Sequence, residues 1–314
     1  MGFQVMPKGQ KYRQLLGLLT IALTLVGCGG GSSSGSSSPE VDLQTYSGTV
    51  SKGTIVGGQV SVYAISDNKE VSTTPLAQAE TNHWGQFSVS LSNMPQQVLI
   101  KITGRETSSW MLCDLIDCGE TTRNDWDSNA NGRVDYGEQM TLDESFQISA
   151  YHFDWSTSKT INVNLMTHLA ASSFPQPPSR EQLSERYTEM QAFLGLSKNP
   201  PDLPPFSQQL ANTGDESFLD VVLMLSLLPP ASGHFSNLSN ALNELTSRFS
   251  VTGQLDKTLG VSLTTTTRNA LVLARRITPQ QSAVINKLKI RSENAAASEG
   301  LVPADERPLL PPLI

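Results

Sequence analysis

Histidine, cysteine and formal charge are all scarce in this chain of 314 residues, and each shortage closes off a class of chemistry. The four histidines, His83, His152, His168 and His234, stand far apart and in no His-x-x-x-His spacing that one helix face could offer a transition metal. Tyr151-His152-Phe153-Asp154-Trp155 sets a base near a carboxylate, but the alternation there reads as a strand or hairpin edge. There is no His-Glu-x-x-His motif, no Gly-x-x-x-x-Gly-Lys loop, and no Gly-x-Ser-x-Gly elbow at a strand–helix junction. Gly57-Gly58 is not followed by a helical pattern, so it belongs to a turn rather than a phosphate cradle. Charged residues make up 16%, the basic ones are scattered, and the net charge is −7. Such a balance excludes nucleic acid and anionic membrane surfaces as electrostatic partners. No internal repeat period is present. With no acid, base and nucleophile gathered in sequence, the expectation is a protein that is not an enzyme.

Long apolar runs are also few, and the first one carries information. Leu15 to Val26 is almost wholly apolar and is preceded by Lys8, Lys11 and Arg13, with no acidic residue before Glu40. At twelve positions it falls short of the ~20 residues that cross a bilayer. A basic start followed by a short apolar run is instead the pattern of an export signal. Leu25-Val26-Gly27-Cys28 resembles the lipobox of bacterial lipoproteins, which implies cleavage before Cys28 and lipidation of its thiol. Residues 29–38 are only glycine and serine, a flexible tether able to hold a folded part clear of headgroups. Gly29 after the cysteine implies, by the same resemblance, sorting to the outer rather than the inner membrane of a cell envelope. The membrane, reached through lipidated Cys28, is thus one expected partner.

Once Cys28 is set aside, Cys113 and Cys118 remain, five positions apart. In an oxidising compartment a leftover pair reads as a disulfide. The other reading, half of a metal site, lacks a second cysteine pair or a nearby histidine to complete it.

From Tyr46 to Gly104 the chain alternates apolar and polar residues in short runs, as at Val60, Val62 and Ala64, at Phe87, Val89 and Leu91, and at Val98, Ile100 and Ile102. Turn residues punctuate those runs, which suggests a small antiparallel sandwich. Gly48-Thr-Val50, Gly57-Gly58-Gln-Val60-Ser-Val62 and Thr81-Asn82-His-Trp-Gly85-Gln-Phe87 resemble the carboxypeptidase-regulatory-like (transthyretin-like) β-sandwich family. Asn82 stands where that family usually has Asp, and Gly58 where Ala is common. The resemblance covers about sixty residues. It implies a sandwich fold and an accessory role, and no catalytic residue.

Beyond Pro175, Pro177 and Pro178 the period becomes helical. Ser179 and Gln182 have the spacing of a capping box, and Leu183, Tyr187, Met190, Phe193 and Leu194 follow at helical spacing. Further helices are expected over 215–228, 238–249, 264–277 and 279–290. The expected fold class is therefore multidomain α+β. A signal peptide (1–27) and a tether (28–44) precede an antiparallel β-sandwich (45–170) with an insertion (110–146). A C-terminal helical bundle (179–294) and an extended Pro-rich tail (295–314) complete it.

The insertion holds the most specific motif. Asp127-Ser-Asn129-Ala-Asn131-Gly132-Arg133-Val134-Asp135-Tyr-Gly-Glu138 matches the twelve-residue EF-hand calcium loop. Calcium needs six to eight hard oxygens. Asp127, Asn129, Asn131, Asp135 and Glu138 would supply side-chain oxygens, and Arg133 its backbone carbonyl. Gly132 would take the positive φ that the turn requires. The residues between Cys118 and Asp127 are poor helix formers, and no second loop exists, so the segment resembles the isolated loops of dockerin-like modules. Three carboxylates predict weak binding, in the range of about 10⁻⁴–10⁻³ M seen for extracellular modules, and a structural role for the ion.

These readings converge on a lipid-anchored envelope protein with a structural or binding role, whose partner would be a glycan or another envelope protein. Trp84, Trp110, Trp126 and Trp155 keep open a carbohydrate-binding or adhesion module. A hydrolase with a site between the two regions stands third, and would need a cluster that the sequence does not display.

Overall fold

The structure is a computed structural model that describes residues 43–92, 95–121, 126–153, 160–228, 238–252 and 262–298. The export signal, Cys28, the tether and most of the Pro-rich tail lie outside those residues. Strands come first and helices follow, so the content is mixed α+β.

The strands are β1 (Gln44–Ser51), β2 (Ile55–Val56), β3 (Gln59–Ala64), β4 (Ala77–Glu80), β5 (Gln86–Leu91) and β6 (Gln97–Thr103). After them come β7 (Trp110–Leu112), β8 (Asp117–Glu120), β9 (Arg133–Asp135), β10 (Gln139–Thr141), β11 (Gln147–Phe153) and β12 (Thr160–Asn164). One sheet has the order β12-β1-β5 and another β11-β6-β3-β4. In β5 the period-two pattern is realised directly: Phe87, Val89 and Leu91 are buried and the residues between them exposed. The central strands β3 and β6 bury longer runs, including Val60, Val62, Ile100 and Ile102.

One pairing departs from the antiparallel expectation. β12 lies parallel to β1, with Gly48 beside Ile161 and Val50 beside Val163. A parallel partner requires a long connection, and the whole stretch from β2 to β11 supplies it. Within the insertion β8 pairs with β9, while β7 pairs with β10 on one side and with β2, from outside the insertion, on the other.

The helices are α1 (Leu165–Ser172), α2 (Arg180–Leu194), α3 (Gln208–Thr213), α4 (Glu216–Leu225), α5 (Leu238–Thr252), α6 (Leu263–Ile277) and α7 (Ser282–Ser298). α1 starts without a loop after β12 because Asn164 turns the chain. Its Oδ1 accepts from Thr167 N at 2.9 Å, and Thr167 Oγ1 accepts from Asn164 N at 2.9 Å. α1 is buried along nearly its whole length, as is α4 from Phe218 to Leu225. The Ser179 capping box forms at the start of α2, with Ser179 N donating to Gln182 Oε1 at 2.8 Å. α7 runs through Ala295, Ala296 and Ala297 to Ser298, into the segment expected to be extended. Alanine is the strongest helix former, and Ala295 and Ala296 are buried, so propensity and packing both carry the helix past Ile290.

The apolar core is continuous from the strands into the helices. Val50, Phe87, Ile100 and Ile148 belong to the same buried cluster as Leu169, Leu219, Leu223 and Leu273. His168 on α1 ties the two together. Its Nδ1 lies 3.1 Å from Ser149 Oγ on β11 and its Nε2 3.2 Å from Thr246 Oγ1 on α5. Burial pushes this imidazole down to about 4. Among the described residues no helix is long and apolar enough to cross a membrane.

Candidate functional site

The insertion begins with β7, directly followed by the cysteine loop. Cys113 and Cys118 are joined, with their Cα atoms 5.9 Å apart. Both are buried. Cys113 is also held by backbone hydrogen bonds, donating to Glu138 O at 2.8 Å and accepting from Gly137 N at 2.9 Å. The cysteine loop therefore lies against the far end of the Asp127–Glu138 segment.

That segment is wound up by its own side chains. Asp127 accepts from Asn131 N at 3.2 Å and from Gly132 N at 2.7 Å. Asn129 Oδ1 accepts from Asn131 N at 3.1 Å, and Asn131 Oδ1 from Arg133 N at 2.8 Å. Short polar side chains capture backbone amides two to five residues on, which is how Asx turns bend a chain without a helix or strand. Three residues take positive φ, Ala130 at 56°, Gly132 at 78° and Gly137 at 87°. The loop leaves this curl as β9, where Val134 turns into the core and Arg133 and Asp135 pair with Glu120 and Asp117 of β8.

The carboxylates are placed as follows. Asp135 and Glu138 are 8% and 9% exposed. Asp135 Oδ2 accepts from Asn129 Nδ2 at 2.6 Å and from Asn131 Nδ2 at 2.9 Å. Glu138 accepts from Asp135 N at 2.9 Å, from Ser128 N at 2.8 Å and from the Ser128 hydroxyl. Arg133, the one cation in the loop, turns away to Asp117, donating from Nε at 2.8 Å and from its terminal nitrogen at 2.9 Å. The Asp117 hydrogen bond holds the guanidinium above its ordinary range. Among the described residues no cationic side chain lies within ion-pair distance of Asp127, Asp135 or Glu138.

Neither do these carboxylates form a ready-made metal cage: no group of three or more His, Cys, Asp and Glu side chains comes together among the described residues. What the fold brings together is a mixed set. Asp135 meets the amides of Asn129 and Asn131, while Asp127 and Glu138 each serve backbone donors. Asn129 and Asn131 present their amide nitrogens to Asp135, while their Oδ1 atoms accept from the backbone of Asn131 and Arg133. Among the described residues the nearly buried Asp135 and Glu138 accept hydrogen bonds from neutral donors, and the charge of Arg133 reaches Asp135 without a hydrogen bond.

Sequence reading overlooked three residues in this region, Lys52, Asp114 and Asp117. Asp114 and Asp117 lie inside the cysteine loop and each is tied to a basic residue, Lys52 and Arg133 respectively. No local pattern marks Lys52, because its burial is set by strands distant in sequence. Tyr136 packs edge-on against Phe206, with ring centroids 6.3 Å apart, which links the loop to the segment before α3. Burial, and then the charge of Asp114, push the Tyr136 phenol up to about 12.

Of the tryptophans, Trp84 is 71% exposed in the turn that leads from β4 to β5, with His83 beside it at 5.6 Å between ring centroids. Trp110 and Trp126 are half-buried, and Trp155 lies outside the described residues. His152 lies on β11, while Asp154 and His234 also lie outside the described residues. No family model, no curated protein and no solved structure matches the chain.

Proposed function

We propose that the chain is a lipid-anchored protein of a bacterial cell envelope, with a calcium-fastened transthyretin-like β-sandwich followed by a helical bundle, and that its role is structural or binding rather than catalytic. The observation that carries the calcium reading is the Asp127–Glu138 loop. It is wound by Asx turns at the spacing of an EF-hand loop, and among the described residues no cationic side chain lies within ion-pair distance of the nearly buried Asp135 and Glu138. Asp127, Asn129, Asn131, Asp135 and Glu138, with the Arg133 carbonyl, would hold the ion. Calcium would supply the positive charge that Arg133 diverts to Asp117.

The sandwich reading is supported by the β12-β1-β5 and β11-β6-β3-β4 sheets, whose buried residues share one cluster. The resemblance motifs also occupy meaningful places. Gly48 and Phe87 are register partners, and a side chain at Gly48 would meet the Phe87 ring at 2.3 Å. Asn82 accepts from Trp84 N at 2.8 Å and from Gln86 N at 3.0 Å, the hairpin role expected of the family's Asp.

The anchoring half rests on the sequence around Cys28. It is tested by fractionating cells that express the full chain or Cys28→Ser. Wild type in the membrane pellet and the variant in the soluble fraction support anchoring. Wild type in the soluble fraction, or an unmodified Cys28 by mass spectrometry, removes it.

A second reading, glycan binding, is favoured by the exposure of Trp84 alone. A glycan array comparing wild type with Trp84→Ala tests it, and binding that survives the substitution places the ligand elsewhere.

A further inference from the structure

Lys52 follows β1 and sits at the start of the turn into β2. Its side chain is 0% exposed, and its Nζ meets Oδ1 of Asp114, whose side chain is 1% exposed. Both partners are held by the backbone on either side. Ser51 bridges to Thr54 across the turn. Gly53, at φ 64°, lies so close to β7 that a Cβ there would come within 2.5 Å of Leu112 O and of the Met111 methyl. The turn is therefore pressed onto β7, and Lys52 has no route to solvent. On the other side Asp114 follows Cys113, which is fixed by the disulfide and by its backbone bonds to Gly137 and Glu138.

As an ion pair this arrangement is badly served. An ammonium has three N–H donors, and Asp114 Oδ1 is the acceptor found for Lys52 among the described residues. Among the described residues Asp114 Oδ2 has no hydrogen-bond partner. Two charges removed from water are compensated only when their remaining donors and acceptors are satisfied, which does not happen here. A neutral amide linking the two side chains would carry one donor and one acceptor and no charge, a much smaller group to bury.

We propose that Lys52 and Asp114 condense to an isopeptide bond in the folded protein. One proton passes from Lys52 Nζ to the Asp114 carboxylate, giving an amine and a carboxylic acid. The nitrogen lone pair attacks Asp114 Cγ and the C–N bond forms. The C–OH bond then breaks, and the surplus proton on nitrogen leaves with the hydroxyl as water. No oxidant, reductant or second substrate is consumed. Catalysis comes from holding amine and acid together in a dry site, where effective molarities of about 10⁵–10⁸ M are available to well-oriented groups. The bond would close the β1–β2 turn covalently onto the cysteine loop. It requires neither calcium nor the lipid, so it stands apart from the function proposed above.

Mass spectrometry of the purified full chain decides the matter. After reduction of the disulfide and denaturation, the proposal expects an intact mass one water below that of the processed sequence. It also expects a tryptic product in which the Lys52 peptide, uncleaved after Lys52, is joined to the peptide containing Asp114. Asp114→Ala should show the full mass and ordinary cleavage after Lys52. A wild-type chain of full mass, cut after Lys52 once denatured, overturns the proposal, and that result does not depend on the variant folding.

Discussion

The stretch from Trp110 to Thr141 and the stretch from Leu165 to Leu228 both send residues into the buried core, but different forces hold them. In the helical stretch the interior is made of Leu169, Phe218, Leu219, Leu223 and their neighbours, packed on one face or all round. Its buried carboxylate is well served: Asp220 accepts from Ser197 N at 3.0 Å, from Ser197 Oγ at 2.6 Å and from Lys198 N at 3.2 Å. The insertion instead has very short strands and few large apolar side chains. It is kept in place by a disulfide, two acid–base pairs and a run of Asx turns. Apolar burial scales with area and tolerates small changes, whereas a clamp is lost whole when one member is removed. The insertion should therefore answer sharply to single polar substitutions, to redox state and to cations.

The largest effect is expected at Lys52. Lys52→Met leaves Asp114 buried without its partner and should cost ~3–5 kcal/mol, read by urea unfolding. A cost under ~1 kcal/mol, the range of an exposed pair, would remove the difference between the two regions.

Next comes acid sensitivity through His168, the polar link between strands and helices. Its native value lies near 4, against about 6.5 in the unfolded chain. Above pH 6.5 both states are neutral and the group has no effect. Between about 6.5 and 4 the unfolded chain takes up a proton that the native state refuses. Stability should then fall by about 1.4 kcal/mol for each pH unit lowered, levelling off below 4. Urea melts across this window should show that extra slope in wild type and not in His168→Gln.

Reduction of the Cys113–Cys118 bond should cost ~2 kcal/mol on the chain-entropy estimate for so short a loop. Because Asp114 and Asp117 sit inside that loop, hydrogen exchange after reduction should rise in β7 to β10 and stay unchanged in α4. A uniform rise would mean that the insertion and the helices unfold as one.

The smallest effects concern the curl of the loop. Ala130 and Gly132 both have positive φ, and a Cβ at Gly132 would meet nothing within 4 Å. Gly132→Ala thus isolates the backbone term and should cost ~1 kcal/mol, while Ala130→Gly should recover a similar amount. Thermal melts of the two variants would read effects of opposite sign.

Local signals were legible in the sequence. The Ser179–Gln182 box, the starts of α4, α5 and α6, the strand pattern of β3, β5 and β6, and the spacing of residues 127–138 all depend on residues within a turn or two of each other. Features set by distant contacts were not. α3 is too short for a period to stand out, and α1 follows β12 so closely that the change from two to 3.6 residues per repeat has no room to register. The parallel β1–β12 pair joins residues more than a hundred positions apart. Lys52 reads as an ordinary polar turn residue until β7 and the cysteine loop close over it. In the candidate site the Asx-rich spacing of residues 127–138 was readable. The pairing of Arg133 with Asp117 on the neighbouring strand was not.

The most direct test of the account is calorimetric titration of calcium into the purified full chain and into Glu138→Gln, with thermal melts alongside. Saturable one-site binding at about 10⁻⁴–10⁻³ M, a melting temperature that rises with calcium, and loss of both in the variant are expected. No heat and no shift at millimolar calcium in wild type would contradict it, and residues 127–138 would then be a polar turn held by its own hydrogen bonds.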